Sequence, residues 1–217
     1  MAVQATASVL GLFGLLALLL AASRLVAARR LAALGYALQA AVLLAAAAAA
    51  WMIAADLASY QHRRDDRPVA DLYFEQVGER RYRATLTRLP GGRMQVFELE
   101  GDAWRLDVRL LDFAGWARAI GLPASYRLDR LVAIERGDAD SPGAATSGFA
   151  LGGHDGLDLW QQSRQTDRWR ELIDAGYAQS SVLPMTSKAR FELLITDGRV
   201  DARPANSVAD AAEPAAR

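Results

Sequence analysis

The chain has 217 residues, with 25 basic and 25 acidic side chains, two histidines and no cysteine. Zero formal charge excludes the arginine and lysine excess of a general nucleic-acid binder. The missing cysteine excludes disulfides, thiolate metal sites and a cysteine nucleophile together.

The chain opens on two apolar runs, residues 5–22 and 31–55, separated by a short stretch containing Arg24, Arg29 and Arg30. Each is long enough to cross a hydrocarbon core of about 30 Å, which takes roughly 20 helical residues. Neither contains a side chain ionised at neutral pH, and Gln39 is the only strongly polar group in the second. Residues 1–8 carry no charged side chain, so two true spans are expected rather than a cleaved leader. Small residues recur at helical spacing, as Ala7, Gly11, Gly14 and Ala21 and again as Ala33, Ala37, Ala41 and Ala48. Such stripes let backbones approach closely in lipid, which predicts a self-packed pair; docking or self-association through those faces is the alternative. The arginines of the connection place it in the cytoplasm and the C-terminal domain in the periplasm of a bacterial inner membrane.

Pro68 ends the juxtamembrane segment, since proline and the residue before it disfavour helix. Strand signals then dominate. Residues 69–77 are rich in β-branched and aromatic side chains, and in 81–87 Tyr82, Ala84 and Leu86 alternate with polar neighbours. Leu89-Pro90-Gly91-Gly92 reads as a turn into a strand at 94–99. Trp104, Leu106, Val108 and Leu110 alternate with Arg105, Asp107 and Arg109, and 126–134 and 189–196 add two further strands. This two-residue period belongs to antiparallel sheets with one buried face. Residues 113–120 predict a short helix and 155–177 a longer one broken near Thr166.

The expected organisation is a transmembrane hairpin over 1–58, a linker over 59–67 and a β-rich domain over 68–201. That domain contains a mobile loop at 137–153, and a disordered tail follows at 202–217. The fold class is a membrane-anchored α+β protein, an antiparallel sandwich or half-barrel with one or two packed helices.

Catalytic chemistry finds no foothold. His154 precedes Asp155 in a glycine-rich stretch and reads as a solvated residue before a helix cap, while His62 sits among charged neighbours beyond the second run. Two distant histidines form no standard zinc set, and Asp102, Asp107 and Asp112 do not match a calcium loop. Neither glycine-rich nucleotide signature is present, and no Gly-x-Ser-x-Gly elbow. No catalytic, cofactor or metal residue is therefore assigned, and no cofactor is expected. One interaction face is: Arg81, Arg83, Arg105 and Arg109 should project from wet strand faces, with Arg127 and Arg130 nearby. Such a face suits anionic headgroups or an acidic partner.

The hairpin leads through Arg67-Pro68-Val69-Ala70 to GDAWRLDVRLL at 101–111, then Gly115-Trp116, Tyr126-Arg127-Leu128, GLDLW at 156–160, Leu183-Pro184-Met185 and Arg203-Pro204-Ala205-Asn206. Over nearly its whole length the chain resembles a family of small two-span proteobacterial membrane proteins called cation/multidrug efflux pumps. That resemblance implies a subunit or accessory of an efflux system. The residues themselves point to a non-enzymatic membrane protein with an extracytoplasmic domain for binding or assembly, whose partners are the bilayer and a membrane protein.

Overall fold

The computed structural model describes residues 2–27, 29–63, 67–119, 122–135, 145–152, 158–166 and 170–212. Two long helices, α1 (Ala2–Val26) and α2 (Arg30–Ala58), are each long and apolar enough to cross a membrane. They run antiparallel, with Gly11 facing Ala47 and Gly14 facing Leu44. A Cβ added at Gly14 would lie 2.9 Å from the Leu44 side chain, so a larger residue there would force Leu44 or the helix to shift. Ala7, Ala17 and Ala21 of α1 and Ala33, Ala40 and Ala54 of α2 are buried between them. The stripe expected on α2 is corrected in part: Ala41 and Ala48 are exposed, and Ala40 and Ala47 take their places. Contact positions alternate three and four residues apart, whereas repeated steps of four drift around the helix.

Only Ser59 and Tyr60 separate α2 from β1 (Gln61–His62), so the expected linker already contains a strand. The rest is built from β2 (Pro68–Gly78), β3 (Arg81–Arg88), β4 (Arg93–Glu100), β5 (Ala103–Phe113), α3 (Gly115–Ala119), β6 (Ser125–Ile134), β7 (Ala145–Ala150), α4 (Leu159–Gln165), β8 (Ile173–Gln179), β9 (Leu183–Pro184), β10 (Arg190–Thr196), β11 (Arg199–Pro204) and α5 (Ser207–Ala212). A five-stranded sheet has the order β11-β10-β2-β3-β4, and a six-stranded one the order β1-β6-β5-β8, with β7 also on β6 and β9 also on β5. Every pairing is antiparallel.

The sheets share one core. Trp104 of β5 packs against Phe74 of β2 and Phe191 of β10, with ring centroids 5.6 and 5.2 Å apart. Leu72, Leu86, Leu106, Leu131, Leu193 and Ile195 fill in around them. The chain crosses between sheets at Gly101, where a Cβ would stand 2.9 Å from the Ile134 carbonyl oxygen. A second, smaller core lies on the other face of the six-stranded sheet. There Leu111, Phe113 and Ile173 meet Leu57 from the end of α2, Tyr60 just beyond it, Ala117 of α3 and Trp160 of α4.

Three further sequence expectations change. The helix expected at 155–177 is α4 followed by a strand, because β8 pairs along β5 from Asp107 to Phe113 and that ladder overrides local spacing; residues 155–157 and 167–169 lie outside the described set. Within the loop expected at 137–153, residues 145–150 form β7 on β6 and Leu151 is buried, while 137–144 and 153 are not described. The tail expected from 202 begins as the end of β11. It continues as α5, whose Ala209 is fully buried and donates its N–H to Asn206 Oδ1 at 2.9 Å. Residues 213–217 are not described.

Candidate functional site

Among the described residues the most enclosed charges lie where α2 enters the domain. Asp56 occupies the last turn of α2 and is fully buried. Arg127 of β6 donates through Nη1 to Asp56 Oδ1 at 3.2 Å and to Ser59 Oγ at 2.9 Å. The Leu159 N–H, at the start of α4, donates to Asp56 Oδ2 at 2.9 Å. The Arg127 guanidinium also lies over the Tyr60 ring, 4.6 Å from its centroid. A cation at a helix C-terminus meets the exposed carbonyl dipoles favourably, which α2 gains from Arg127. One carboxylate thus ties together α2, the six-stranded sheet and α4.

A second arginine adjoins the first. Arg109 of β5 is ion-paired to Asp129 at 2.7 Å and hydrogen-bonded to Asp158 Oδ2 at 2.8 Å. Asp158 also caps α4 by accepting from the Gln161 N–H at 3.0 Å. Burial alone would raise the Asp158 carboxyl, but the Gln161 N–H and the Arg109 guanidinium hold it below its ordinary value. Trp160 is flanked by guanidiniums, Arg109 at 4.6 Å and Arg164 at 4.8 Å from its ring centroid, and donates Nε1–H to the Gly176 carbonyl. Burial likewise raises the Tyr60 hydroxyl well above the usual phenol range.

The four arginines expected to form one face do not. Arg81 and Arg83 lie on β3 in the five-stranded sheet, opposite Glu100 and Glu98, with Arg83 also 3.4 Å from Glu75. Arg105 and Arg109 lie on β5 in the other sheet, so the pairs point away from the shared core in opposite directions. Arg105 is held by Asp107 at 2.9 Å, and Asp107 accepts from the Tyr177 hydroxyl at 3.0 Å. The outer face of β5 is covered by α2, α3 and α4, which converts an expected wet face into a half-buried ion-pair layer. Of the two further arginines, Arg127 joins the Asp56 cluster, while Arg130 is exposed on β6 opposite Asp107. His62 is exposed on β1, and His154 falls outside the described residues. Among the described residues no group of three or more His, Asp and Glu side chains could hold a metal ion.

Open clefts surround this junction. One of about 210 Å³ lies between the start of α1, the end of α2 and the sheet, lined by Val3, Ala54, Leu57, Tyr60, Phe113 and Leu122. Two larger ones flank β1 on the side of the β3–β4 turn. Comparisons with family models, with curated proteins and with solved structures found no match.

Sequence reasoning missed Asp56, Asp158 and the pairing role of Arg127. The available signal was Asp56 itself, the one carboxylate closing an otherwise uncharged apolar run. Chemically the cluster is a set of matched charges: each carboxylate already accepts from a guanidinium, and such an arrangement fixes geometry rather than moving protons.

Proposed function

We propose that the chain is a non-enzymatic integral membrane protein whose hairpin anchors a β-rich domain for binding or assembly at the cell envelope. One observation carries the reading. The hairpin turns its small residues inward and leaves large apolar side chains outside, Leu12 and Leu19 each 68% exposed, Leu34 69% and Leu38 67%. An apolar coat of that extent is costly in water and costless in hydrocarbon. The arginines of the connection, Arg24, Arg29 and Arg30, favour a cytoplasmic turn and a periplasmic domain. The Asp56 lock then supports a domain held in one orientation at the membrane surface.

The resemblance to the efflux-pump family supports a second reading, an accessory subunit of a cation or multidrug efflux system. The buried positions of the α1–α2 contact are all alanine or glycine, so the translocation path would belong to a partner.

An alkaline carbonate wash of membranes tests the anchor: the intact chain is expected to stay with the lipid, and release into the supernatant overturns the reading. A C-terminal alkaline phosphatase fusion is expected to be active; an inactive enzyme beside a fluorescent cytoplasmic reporter reverses the orientation. Copurification in mild detergent identifies the partner, and a strictly monomeric, partnerless species counts against assembly.

A further inference from the structure

Arg88 closes β3 and Arg93 opens β4, and the hairpin register sets them directly opposite one another. Like charges so placed repel and weaken a sheet. No acidic side chain among the described residues compensates this pair. Arg88 donates only to neutral acceptors, the Gln95 side chain at 2.9 Å and the Leu151 carbonyl, and its Nε is buried without a hydrogen-bond partner. Burial and the neighbouring Arg93 charge both disfavour its protonated form.

The two guanidiniums line an open cleft of about 540 Å³ together with Arg127, Ser59, Gln61 and Gln95. Among the described residues no carboxylate lines it; Asp56 reaches Arg127 from the buried side. A second cleft of about 780 Å³ adjoins it, and Gln61 and Gly91 line both. Its walls include Tyr60, Val69, Leu89, Pro90 and Tyr126, with Arg67 and His62 also lining it. A basic hollow and an apolar hollow therefore meet at the end of the domain where α2 enters.

We propose that the paired clefts bind an anionic phospholipid drawn from the bilayer around the hairpin, its phosphate among Arg88, Arg93 and Arg127 and an acyl chain along Val69, Leu89 and Pro90. The proposal rests on the reading that the hairpin lies in a membrane. The charge argument selects an anion, since uncompensated opposed arginines are relieved by phosphate oxygens. The adjoining apolar cleft selects an amphiphile over a free phosphate ester. The location supplies the source, because both hollows open beside the last turn of α2.

The test uses the full-length protein in dodecylmaltoside, with bound lipid counted by native mass spectrometry. Phosphatidylglycerol and phosphatidylcholine are added at equal mole fraction, and glycerol 3-phosphate serves as the chainless competitor. The wild-type chain is expected to retain phosphatidylglycerol with about tenfold preference, falling to about twofold or less in Arg88→Gln/Arg93→Gln. Arg93 is exposed and its side chain makes no hydrogen bond or ion pair among the described residues, so Arg93→Gln alone keeps the test readable if the double variant fails to fold; it is expected to lose about threefold. Arg81→Gln/Arg83→Gln, at the opposite end of the sheet, is expected to leave the preference unchanged.

Equal retention of both lipids by the wild type overturns the proposal, as does a preference that survives loss of Arg88 and Arg93. Full competition by glycerol 3-phosphate overturns the lipid assignment in favour of a free phosphate ester. Release of the chain by carbonate with the lipid preference intact would sink the anchor while sustaining the site, so the two readings fail separately.

Discussion

Asp56 and Arg127 lie 71 residues apart in sequence and 3.2 Å apart in space, with 0% and 4% of their side chains exposed. Neither charge is tolerable there without the other, because desolvating a lone ion in a protein interior costs several kcal/mol. The pair therefore makes the end of α2 and the middle of the chain one folding unit.

Replacing Asp56 by Ala strands the Arg127 guanidinium and removes the acceptor for the Leu159 N–H. Destabilisation of about 3–5 kcal/mol is expected, read as a lowered melting temperature of the detergent-solubilised protein. Converting both partners to apolar residues of similar volume should cost much less. Equal losses for the single and double variants would remove the ion pair as the cause.

The hairpin contact makes a geometric prediction that the cysteine-free chain renders clean. A Cβ built at Gly11 stands 3.9 Å from Ala47 Cβ, within disulfide range of about 3.5–4.5 Å. The pair Gly11→Cys and Ala47→Cys should cross-link under mild oxidation, shifting mobility on a non-reducing gel. Gly14→Ile should abolish that cross-link by forcing α1 away from Leu44. A cross-link indifferent to residue 14 would show that the helices do not pack through this face.

Trp104 joins the two sheets through Phe74 and Phe191 and is fully buried. Trp104→Ala is expected to cost about 3–5 kcal/mol through lost burial and the cavity left behind. Chemical denaturation should show an earlier midpoint with an unchanged slope.

Two groups of side chains set the pH limits. Burial and the hydrogen bond to Asp107 push the Tyr177 hydroxyl up to about 12, burial pushes Tyr126 up to about 12, and Tyr60 lies higher still. A phenol with a raised folded value stabilises fully below its ordinary 10.0 and loses that contribution as pH rises through the folded value. Three of the six tyrosines should therefore develop phenolate absorbance late, together with alkaline unfolding. Asp158 works in the other direction. Its depressed value stabilises fully above the ordinary 3.8 and is lost as pH falls below that through the folded value. Asp158→Asn should flatten the acid limb of stability against pH; an unchanged limb would place the acid sensitivity elsewhere.

Elements that bury one face were legible from alternation alone. Tyr82, Ala84 and Leu86 on β3 and Trp104, Leu106, Val108 and Leu110 on β5 point inward as their spacing requires. What alternation cannot show is which outer face is covered. Arg109 has the pattern of a solvent residue, yet α4 and Asp158 close over it, and nothing local in 103–113 encodes that. β8 escaped for a related reason, since its apolar spacing suits a helix and only the open edge of β5 makes it a strand. Arg88 and Arg93, by contrast, were within reach. They flank Leu89-Pro90-Gly91-Gly92, and any hairpin closed by that turn sets them face to face.

The two-residue neck between α2 and β1 has a mechanical consequence. Gln61 and His62 are already laced to Tyr126 and Ser125, so the helix runs into the sheet without a swivel. In a bilayer, a change in the tilt of α2 would rotate the entire head as a lever rotates about its fulcrum. The greatest travel would come at the distal turn, where Arg80 grips Asp102 and Glu135.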